Sequence, residues 1–499
     1  MTSSTLTIGK YGYIQCNQII GRPFYLTFEI TEDEDTTKAP YLRVVSAAEL
    51  HADTILQQAG VDASDSYDDA ADFDTGSSAT GGAAPSNRLI VDTPSNQRLT
   101  MAEIESLKSG RSGDSKEIIS RILESHSSLD QKTTFSLAKY TMRKHKKYLK
   151  QFSVLPLDVM SITDWLTTER DLGKVLEVRN ETLALACSWT NLYRAISADI
   201  NISPPGRHLV IDDTGGLIVA AMAEKMGIMS AASDDHERLR AEENANSEIG
   251  NSKDLVESHA ESASENSITL LHSNSQPNLA LLRYFGFDIS ASIPQHHALH
   301  THLKTLSWRQ LLRPESDQSC IAPDPVSTDI LASWKSNKRG AYHRKQRRWM
   351  KTKSIVDETR RGGFQAVFIA THTSPVSILQ HVVPLLAGGA QVVIFSPHIE
   401  PLVDVVDAYS TARRSAFINT SEGLRVVPSC DFPLDPSMLI APSIQTVRID
   451  KWQTLPGRTH PCMMAHGGAE GYLVTATRVH PSQEKMEARG VIGKKQKLT

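Results

Sequence analysis

The sequence contains few of the patterns that mark metal sites, disulfide scaffolds or membrane spans. Its 499 residues include only five cysteines, at positions 16, 187, 320, 430 and 462. No two have the spacing of zinc ligands, and an odd, scattered set predicts no disulfide framework, so we expect a reduced intracellular compartment. The polar first ten residues are unlike a signal peptide. The longest apolar run, Val382–Phe395, is interrupted by proline and glycine and is too short to cross a bilayer, so no membrane contact is expected.

Recognisable catalytic signatures are missing as well. The chain has no P-loop, no nucleophile elbow and no cluster of metal-ligand residues at a known spacing. His372 follows an apolar run at 366–370, in a loop without a carboxylate, and a lone loop histidine is more often structural than catalytic. The sequence therefore offers no residue set for bond-making chemistry.

Charge is strongly segregated along the chain. The 57 acidic and 53 basic residues give a formal net charge of −4. Two stretches, at about 50–87 and 233–276, are acidic or rich in Ser, Asn and Gly. Such segments bury too little apolar surface to offset the entropy lost on ordering, so we predict disordered insertions at both places.

The first 98 residues predict a β-rich domain. Short apolar runs at 6–8, 13–14, 24–28 and 41–45 are separated by glycine and proline, and strand character returns at 88–92. Strands of this length and spacing predict a small β-barrel-like domain or a β-sandwich.

Residues 99–175 predict a helical connector. Thr100 and Glu103 have the spacing of a capping box and begin a first helix towards Lys108. Asp114 or Ser115 begins a second helix that continues to His126, and a third helix is predicted at 130–152.

Strands and helices alternate from 176 to 480, which predicts an α/β domain before a tail at 481–499. The predicted elements are a helix at about 180–192, a strand at 208–212, a helix at 217–226, a strand at 366–370, a helix at 375–386 and a strand at 391–395. This alternation favours a mostly parallel, doubly wound, Rossmann-like sheet.

The turn after the 208–212 strand lies where such a fold builds its cofactor site. Its residues are Asp212, Asp213, Thr214, Gly215 and Gly216. Neither the dinucleotide G-x-G-x-x-G pattern nor the longer glycine series of S-adenosylmethionine enzymes is present. The two aspartates could hold a ligand, but we favour the interpretation that they cap the following helix. The turn is therefore predicted to be a degenerate cofactor site.

Two basic stretches favour RNA as a partner. In the helix predicted at 130–152, Lys139, Arg143, Lys146, Lys147 and Lys150 share one face with no acid between them, and a phosphate backbone would offset their repulsion. A solvated lysine face is the plain alternative. The segment 335–353 carries nine Lys or Arg residues, no acid, and interleaved Trp and Tyr that could stack on bases. A nuclear-import signal or a disordered basic loop would be alternatives there.

Ordered blocks of sequence carry a resemblance to a known family, the non-catalytic subunit of tRNA (adenine-58-N1) methyltransferase. The blocks are Ile8–Gly12, Asn17–Pro23, Leu99–Lys108, Gly110–Gly113, Lys132–Ser136, Lys139–Tyr140, Arg143–Tyr148, Ser273–Asn278, Gly457–Pro461 and Gly467–Tyr472. They span nearly the whole chain outside the acidic insertions. The glycine-rich block near the C-terminus is interrupted by Ala469 and Glu470, which puts the geometry of that loop in doubt.

The resemblance implies a division of labour between two subunits. Family members have a β-rich N-terminal domain and a methyltransferase-like domain that has lost cofactor binding. They pair with a catalytic paralogue, which holds S-adenosylmethionine, in a nuclear heterotetramer of two plus two subunits. This chain would then hold no cofactor or metal, and it would position the tRNA T-loop for its partner.

The expected RNA contacts follow from the basic stretches and the resemblance together. They are Lys10, Arg22, Lys139, Arg143, Lys144, Lys146, Lys147, Lys150, Lys335, Lys338, Arg339, Arg344, Arg347, Arg348 and Arg458. Two rival functions stay open. One is an active S-adenosylmethionine-dependent RNA methyltransferase with an unorthodox turn, and the other is an RNA-binding scaffold in translation initiation.

Overall fold

A computed structural model describes most of the chain. The described residues are 4–8, 13–31, 41–46, 49, 96–109, 115–127, 134–169, 172–192, 206–229, 266–290, 297–421, 425–449, 452–455, 458–461 and 471–481. The predicted strand at 88–92, the insertion at 50–87 and nearly all of the 481–499 tail lie outside them. The chain forms two compact units. Unit 1 comprises Met1–Pro156 with Asp450–Ala465, and unit 2 comprises Leu157–Ile449 with His466–Thr499.

The described elements follow in chain order. The first are β1 Thr5–Thr7, β2 Tyr13–Gln15, β3 Thr27–Thr31, β4 Tyr41–Val44, α1 Met101–Ser109, α2 Ser115–Glu124, α3 Thr134–Tyr148, β5 Gln151–Ser153, α4 Val159–Glu169, α5 Asn180–Trp189, β6 Arg207–Asp212 and α6 Leu217–Met226. The rest are β7 Ser267–His272, α7 Leu299–His302, β8 Leu303–Ser307, α8 Trp308–Leu312, α9 Thr328–Ser333, α10 Ser336–Arg360, β9 Phe364–Ala370, α11 Pro375–Val382, β10 Leu386–Ser396, α12 Glu400–Ala408, α13 Thr411–Asn419, β11 Leu439–Gln445, β12 Trp452–Leu455, β13 Arg458–Pro461 and β14 Tyr472–Arg478.

The strands of unit 1 form small antiparallel sheets. β3 lies between β4 and β5, while β1 pairs with β2 and β12 pairs with β13. Alternation in β3 points Phe28 and Ile30 into the core, where the Phe28 ring stacks on Phe152 of β5 at 5.7 Å between centroids. These sheets do not confirm the predicted barrel-like closure, because no strand pairing among the described residues joins one sheet to another.

The three helices of unit 1 follow the sequence prediction with one correction. The capping box is present: the Thr100 N–H donates to Glu103 Oε2 at 2.8 Å, and the Glu103 N–H donates to Thr100 Oγ1 at 3.3 Å. The helix predicted at 130–152 is too long at its C-terminal end. α3 ends at Tyr148, and Phe152 belongs to β5, because its ring gains more from packing on Phe28 than from a further helical turn.

Unit 2 contains a seven-stranded sheet in the order β11-β14-β10-β9-β6-β7-β8. The pairs β7–β8, β6–β7, β6–β9 and β9–β10 are parallel, whereas β14 is antiparallel to both β10 and β11. The order runs outward in both directions from β6, so the predicted doubly wound, mostly parallel sheet is confirmed. Two apolar clusters cover its faces, one built around α6 and the other around α11 and α12.

The sequence prediction was wrong about the end of the low-complexity insertion. Residues 267–272 lie within the stretch predicted to be disordered, yet they form β7, whose Ile268, Leu270 and Leu271 are buried. The alternation of Ser and Thr with these apolar residues conceals a strand that is buried on both faces. The part of this insertion at 233–265 lies outside the described residues.

The segment predicted as a connector, 99–175, is divided between the two units at Pro156. α1 to α3 belong to unit 1, and α4 packs against α6 in unit 2, where the Val159 N–H donates to Glu224 Oε2 at 2.8 Å. None of the helices in the described part of the chain is long and apolar enough to cross a membrane. Within those same ranges, no group of three potential metal ligands comes together.

Candidate functional site

The degenerate turn lies at the carboxyl end of β6, beside the carboxyl end of β9. The register pairs Asp212 with Ala370, and the Asp213 N–H donates to the Ala370 carbonyl oxygen at 2.9 Å. Ligands of open α/β sheets bind in the crevice outside these strand ends. The turn therefore lies at the carboxyl end of a central strand, as the sequence predicted.

Asp212 caps the following helix, as the sequence predicted. Its Oδ1 accepts the Thr214 N–H at 2.6 Å and the Thr214 hydroxyl, and its Oδ2 accepts the Val219 N–H of α6 at 3.4 Å. The Thr214 hydroxyl oxygen in turn accepts the Ile218 N–H at 3.3 Å. Burial raises the pKa of Asp212 to about 6, against the opposing effect of these hydrogen bonds. Both of its carboxylate oxygens are engaged, by donors of the turn and of α6.

Asp213 has a different role from the cap that was predicted for both aspartates. Its Oδ2 accepts the Thr371 hydroxyl and the His372 N–H, the latter at 3.2 Å. It thus ties the turn after β6 to the loop after β9. Sequence reasoning missed this contact because the two residues are more than 150 positions apart. His372 itself is exposed and contributes its backbone to the contact.

The two glycines of the turn approach another part of the same chain. Gly215 and Gly216 have φ of +73° and +93°, which only glycine adopts without strain. The Gly215 carbonyl oxygen accepts the Leu281 N–H at 3.0 Å, and a Cβ added to Gly216 would lie 3.2 Å from the Leu279 Cα. The surface of the turn is therefore covered by the helical turn Ala280–Phe285 and the residue before it.

The covering segment was not predicted from the sequence. Leu279 and Leu282 are buried and belong to the same apolar cluster as α6. The available signal was the run Leu279-Ala280-Leu281-Leu282, which follows β7 after a polar loop. An apolar run beside the carboxyl end of a strand, where a soluble ligand would need polar groups, indicates a crevice filled by protein.

α3 presents the first group of predicted cations. Arg143 and Lys147 are exposed and four residues apart, so they share a helix face. The Lys144 Nζ lies 4.8 Å from the Tyr140 ring centroid, and burial, followed by the charge of Lys147, lowers the pKa of Lys144. The neighbouring Tyr148 packs into a cluster of isoleucines from α1 and α2. α3 is thus anchored by its apolar side with a cationic side outward.

The segment 335–353 is helical, and this excludes the disordered basic loop as an interpretation. It forms most of α10, and all nine of its cations are exposed: Lys335, Lys338, Arg339, Arg344, Lys345, Arg347, Arg348, Lys351 and Lys353. The acids Asp357 and Glu358 come only in the last turn. There Glu358 pairs with Lys304 at 2.7 Å, so it does not neutralise the basic part.

The aromatic residues of α10 contact the protein itself. The Trp349 Nε1–H donates to the Cys320 carbonyl oxygen, and the Tyr342 hydroxyl donates to the Asp324 carbonyl oxygen, both at 3.1 Å. Trp334 packs edge-on against Tyr342, with 5.8 Å between ring centroids. These rings were predicted as candidates for stacking on bases. The hydrogen bonds of Trp349 and Tyr342 instead hold the helix against the segment that precedes it, while the nine cations face solvent.

The remaining predicted cations are scattered. Arg22 is exposed in the loop between β2 and β3, with its guanidinium carbon 6.0 Å from the Phe28 ring centroid. Lys150 lies between α3 and β5 and is half-buried. The side chains of Lys139, Lys146 and Arg458 lie outside what the structure describes, and so does Lys10 altogether. α3 belongs to unit 1, and α10 belongs to unit 2.

Comparisons with known proteins agree with the resemblance that the sequence blocks carry. The model of the Gcd10p family matches residues 1–335. A relative from Aspergillus oryzae, "tRNA (adenine(58)-N(1))-methyltransferase non-catalytic subunit trm6", is 43% identical over 536 residues, covering 99% of this chain and 91% of the relative. A relative of the same name from Aspergillus fumigatus is 42% identical and covers 98% of this chain and 90% of its own length.

Among solved structures, the tRNA (m1A58) methyltransferase TrmI from Aquifex aeolicus is similar at 11% identity. The match covers 66% of this chain and 79% of that one, with a TM-score of 0.32. The fold of unit 2 is shown by its own strand order.

Proposed function

This chain belongs to the Gcd10p family, and we propose that it is the non-catalytic, tRNA-binding subunit of a tRNA (adenine-58-N1) methyltransferase. The observation that carries the proposal is the closed turn at the end of β6. A methyl donor would have to approach the backbone of Gly215 and Gly216. Leu279 and Leu281 already occupy that position. A family whose curated relatives are named non-catalytic is consistent with that closure.

We infer that the turn does not fit S-adenosylmethionine. Its glycines face an apolar segment of the chain, and Asp212 and Asp213 are both engaged by protein donors. The loop after β9 offers no carboxylate that could act as a base. Binding and transfer of the methyl group would then belong to the catalytic partner, a paralogue with an intact turn, in a nuclear assembly of two plus two subunits.

The contribution of this chain would be positioning. Exposed cations on α3 and α10 can bind phosphates without competition from neighbouring acids, and each such contact adds affinity through counterion release. Phosphate contacts fix the orientation of a nucleic acid without reading its bases. A tRNA held in this way would present its T-loop to the partner, which lowers the entropic part of the barrier to methylation.

A reconstitution assay tests the division of labour. Methyl transfer to tRNA is measured with this chain alone, with the catalytic subunit alone, and with both. We expect transfer only from the pair, or far more from the pair than from the catalytic subunit alone. Methylation of tRNA by this chain without a partner would overturn the proposal and favour the rival, an active enzyme with an unorthodox turn.

Calorimetry and purification test cofactor binding and a role in translation initiation. Titration of S-adenosylmethionine into the isolated chain should give no heat of binding above dilution, whereas a saturating isotherm would show that the turn accommodates the donor. Tagged chain purified from cells should carry a methyltransferase subunit at equal stoichiometry. Recovery of initiation factors or ribosomal proteins in its place would favour a scaffold in translation initiation.

A further inference from the structure

The loop between β2 and β3 exposes large apolar side chains in unit 1. Tyr25 is 72% exposed, and Phe24 and Ile20 are each 56% exposed. Phe24 and Tyr25 are adjacent in sequence, and neither takes part in a ring contact with another aromatic residue within the described ranges. Burying aromatic rings is one of the larger sources of folding free energy, so two neighbouring rings left in water suggest a binding role.

The loop is held at both of its ends. At its start, Gln18 Oε1 accepts the Leu42 N–H of β4 at 2.6 Å. At its end, the Tyr25 N–H donates to the Val154 carbonyl oxygen at 2.7 Å, just past β5. The aromatic pair is therefore presented by a fixed backbone, and little conformational entropy would be lost when a ligand binds.

Tyr25 also has an unusual backbone conformation. Its φ is +69°, a left-handed conformation that costs about 1–2 kcal/mol for a residue with a Cβ. Gly21, at the other side of the same loop, has φ of +81°, where glycine is free of that strain. Strain of this kind clusters at ligand-binding positions, and here its consequence is a ring directed away from the core.

The charge around the loop favours an anionic ligand. No Asp or Glu occurs in the first 28 residues, and Arg22 lies two positions before Phe24. The first acid, Glu29, is paired with Arg43. The face of β3 beside the loop is polar, with half-exposed Thr27, Glu29 and Thr31, so it does not extend the aromatic pair into a large apolar patch of the kind that marks protein contact sites.

We propose that Phe24 and Tyr25 form a stacking platform for unpaired RNA bases, with Arg22 binding an adjoining phosphate. This assignment rests on the proposed function and deepens it. The cations of α3 and α10 bind phosphates alone, whereas this platform contacts bases, which every nucleotide offers as a flat aromatic face. It would select unpaired or unstacked RNA over a closed duplex, whose bases are not accessible.

The test uses the complete complex of this chain with its catalytic subunit. Phe24→Ala removes one ring at an ordinary backbone position, and Tyr25→Asn removes the other with a residue that tolerates a left-handed φ. The double variant should bind tRNA and a single-stranded oligoribonucleotide about 10-fold or more weakly. The dependence of affinity on salt should keep its slope, because no charge is lost, whereas Arg22→Ala should lower the slope by about one phosphate contact.

Tyr41→Ala is the matched control. Tyr41 is an exposed tyrosine that pairs with Thr31, at the end of β3 farther along the chain from Tyr25, and its removal should leave affinity unchanged. If Tyr25→Asn perturbs folding, as judged by thermal melting, Phe24→Ala alone still decides the question through the oligoribonucleotide.

Each outcome has one meaning. Wild-type complex that binds no tRNA would defeat the proposed function itself. Wild-type complex that binds tRNA together with a double variant of equal affinity would overturn the platform alone. A double variant that loses its catalytic partner during purification would also overturn the platform, and it would identify the loop as a protein contact.

Discussion

The backbone N–H of Leu281 donates a 3.0 Å hydrogen bond to the carbonyl oxygen of Gly215. This bond joins the loop after β7 to the turn after β6, across the crevice where open α/β sheets bind their ligands. Glycines in a turn allow another group to approach the backbone closely. Here the approaching group is a backbone segment of the same chain. The closure has a use in folding, because it buries Leu279 and Leu282 against α6.

Gly216→Ala should destabilise the chain through two effects. The substituted residue would have to keep φ near +93°, and its Cβ would lie 3.2 Å from the Leu279 Cα and Cδ2. Strain and steric conflict together should lower the free energy of unfolding by about 2–4 kcal/mol. Denaturant unfolding of the purified chain measures the loss.

Gly286→Ala separates these two effects. Gly286 has a similar φ of +81°, but an added Cβ there would meet nothing within 4 Å. Its cost should be that of backbone strain alone, about 1–2 kcal/mol. Equal losses in the two variants would mean that the covering segment does not pack against the turn as the structure places it.

Asp212→Asn should change how stability depends on pH. In the folded chain burial raises the pKa of Asp212 from 3.8 to about 6. The folded state therefore binds the proton more tightly than the unfolded state, so stability from this group is full below pH 3.8 and is lost as pH rises through 6. The loss amounts to roughly 3 kcal/mol. Asparagine cannot ionise, so relative to wild type the variant should gain stability between about pH 4 and pH 7.

Thr214→Val provides the opposite test at the same site. The Thr214 hydroxyl donates to Asp212 and favours its ionised form. Without that donor the pKa of Asp212 should rise further, so the fall in stability should continue to a higher pH and become larger in total. Thermal unfolding across about pH 4–7 follows both variants. A stability difference between wild type and Asp212→Asn that does not vary with pH would contradict a buried, protonatable carboxyl.

The pattern of strands and helices allowed most of unit 2 to be predicted. α6 has the bounds that its sequence predicted, Leu217–Met226. A β-strand followed by two glycines and an apolar run is a clear signal for a turn and then a buried helix. β7 was missed because its flanks are polar and its own serine and threonine dilute the apolar signal. Periodicity reports which residues are apolar, and it does not report which element will lie on either side of them.

The candidate site could be predicted in position but not in contacts. The sequence located the turn at Asp212–Gly216 and recognised that its glycines are too few. It assigned Asp213 to a helix cap, whereas the carboxylate binds Thr371 and His372. It also left Phe24 and Tyr25 as ordinary strand residues. Contacts between segments far apart in sequence decide both cases, and a single sequence carries no record of them.

Removing the charges of Arg143 and Lys147 should weaken tRNA binding in a salt-dependent manner. Both side chains are exposed on one face of α3, so Ala at both positions deletes two phosphate contacts with little structural cost. The slope of log affinity against log salt should fall by roughly 2. Lys174→Ala, which removes an exposed cation outside both basic helices, should leave affinity and slope unchanged. Filter binding at several salt concentrations measures the slope. An unaltered slope in the double variant would count against RNA binding on this face.

We expect Trp349 to contribute to stability and its arginine neighbours to contribute to tRNA binding. Trp349→Phe keeps an aromatic ring but removes the Nε1–H donor to the Cys320 carbonyl oxygen, so stability should fall by about 1 kcal/mol. Because that ring faces the protein, tRNA affinity and its salt dependence should stay at wild-type values.

Replacing Arg344, Arg347 and Arg348 by Ala should have the reverse effect. All three are exposed, so folding should be nearly unaffected, while affinity for tRNA falls and the salt slope decreases by roughly 2–3. Measuring melting temperature and affinity on both variants decides the assignment. If Trp349→Phe weakened RNA binding while the arginine variant bound normally, α10 would contact RNA through its aromatic residues, and its hydrogen bonds to the preceding segment would have to open for that contact to form.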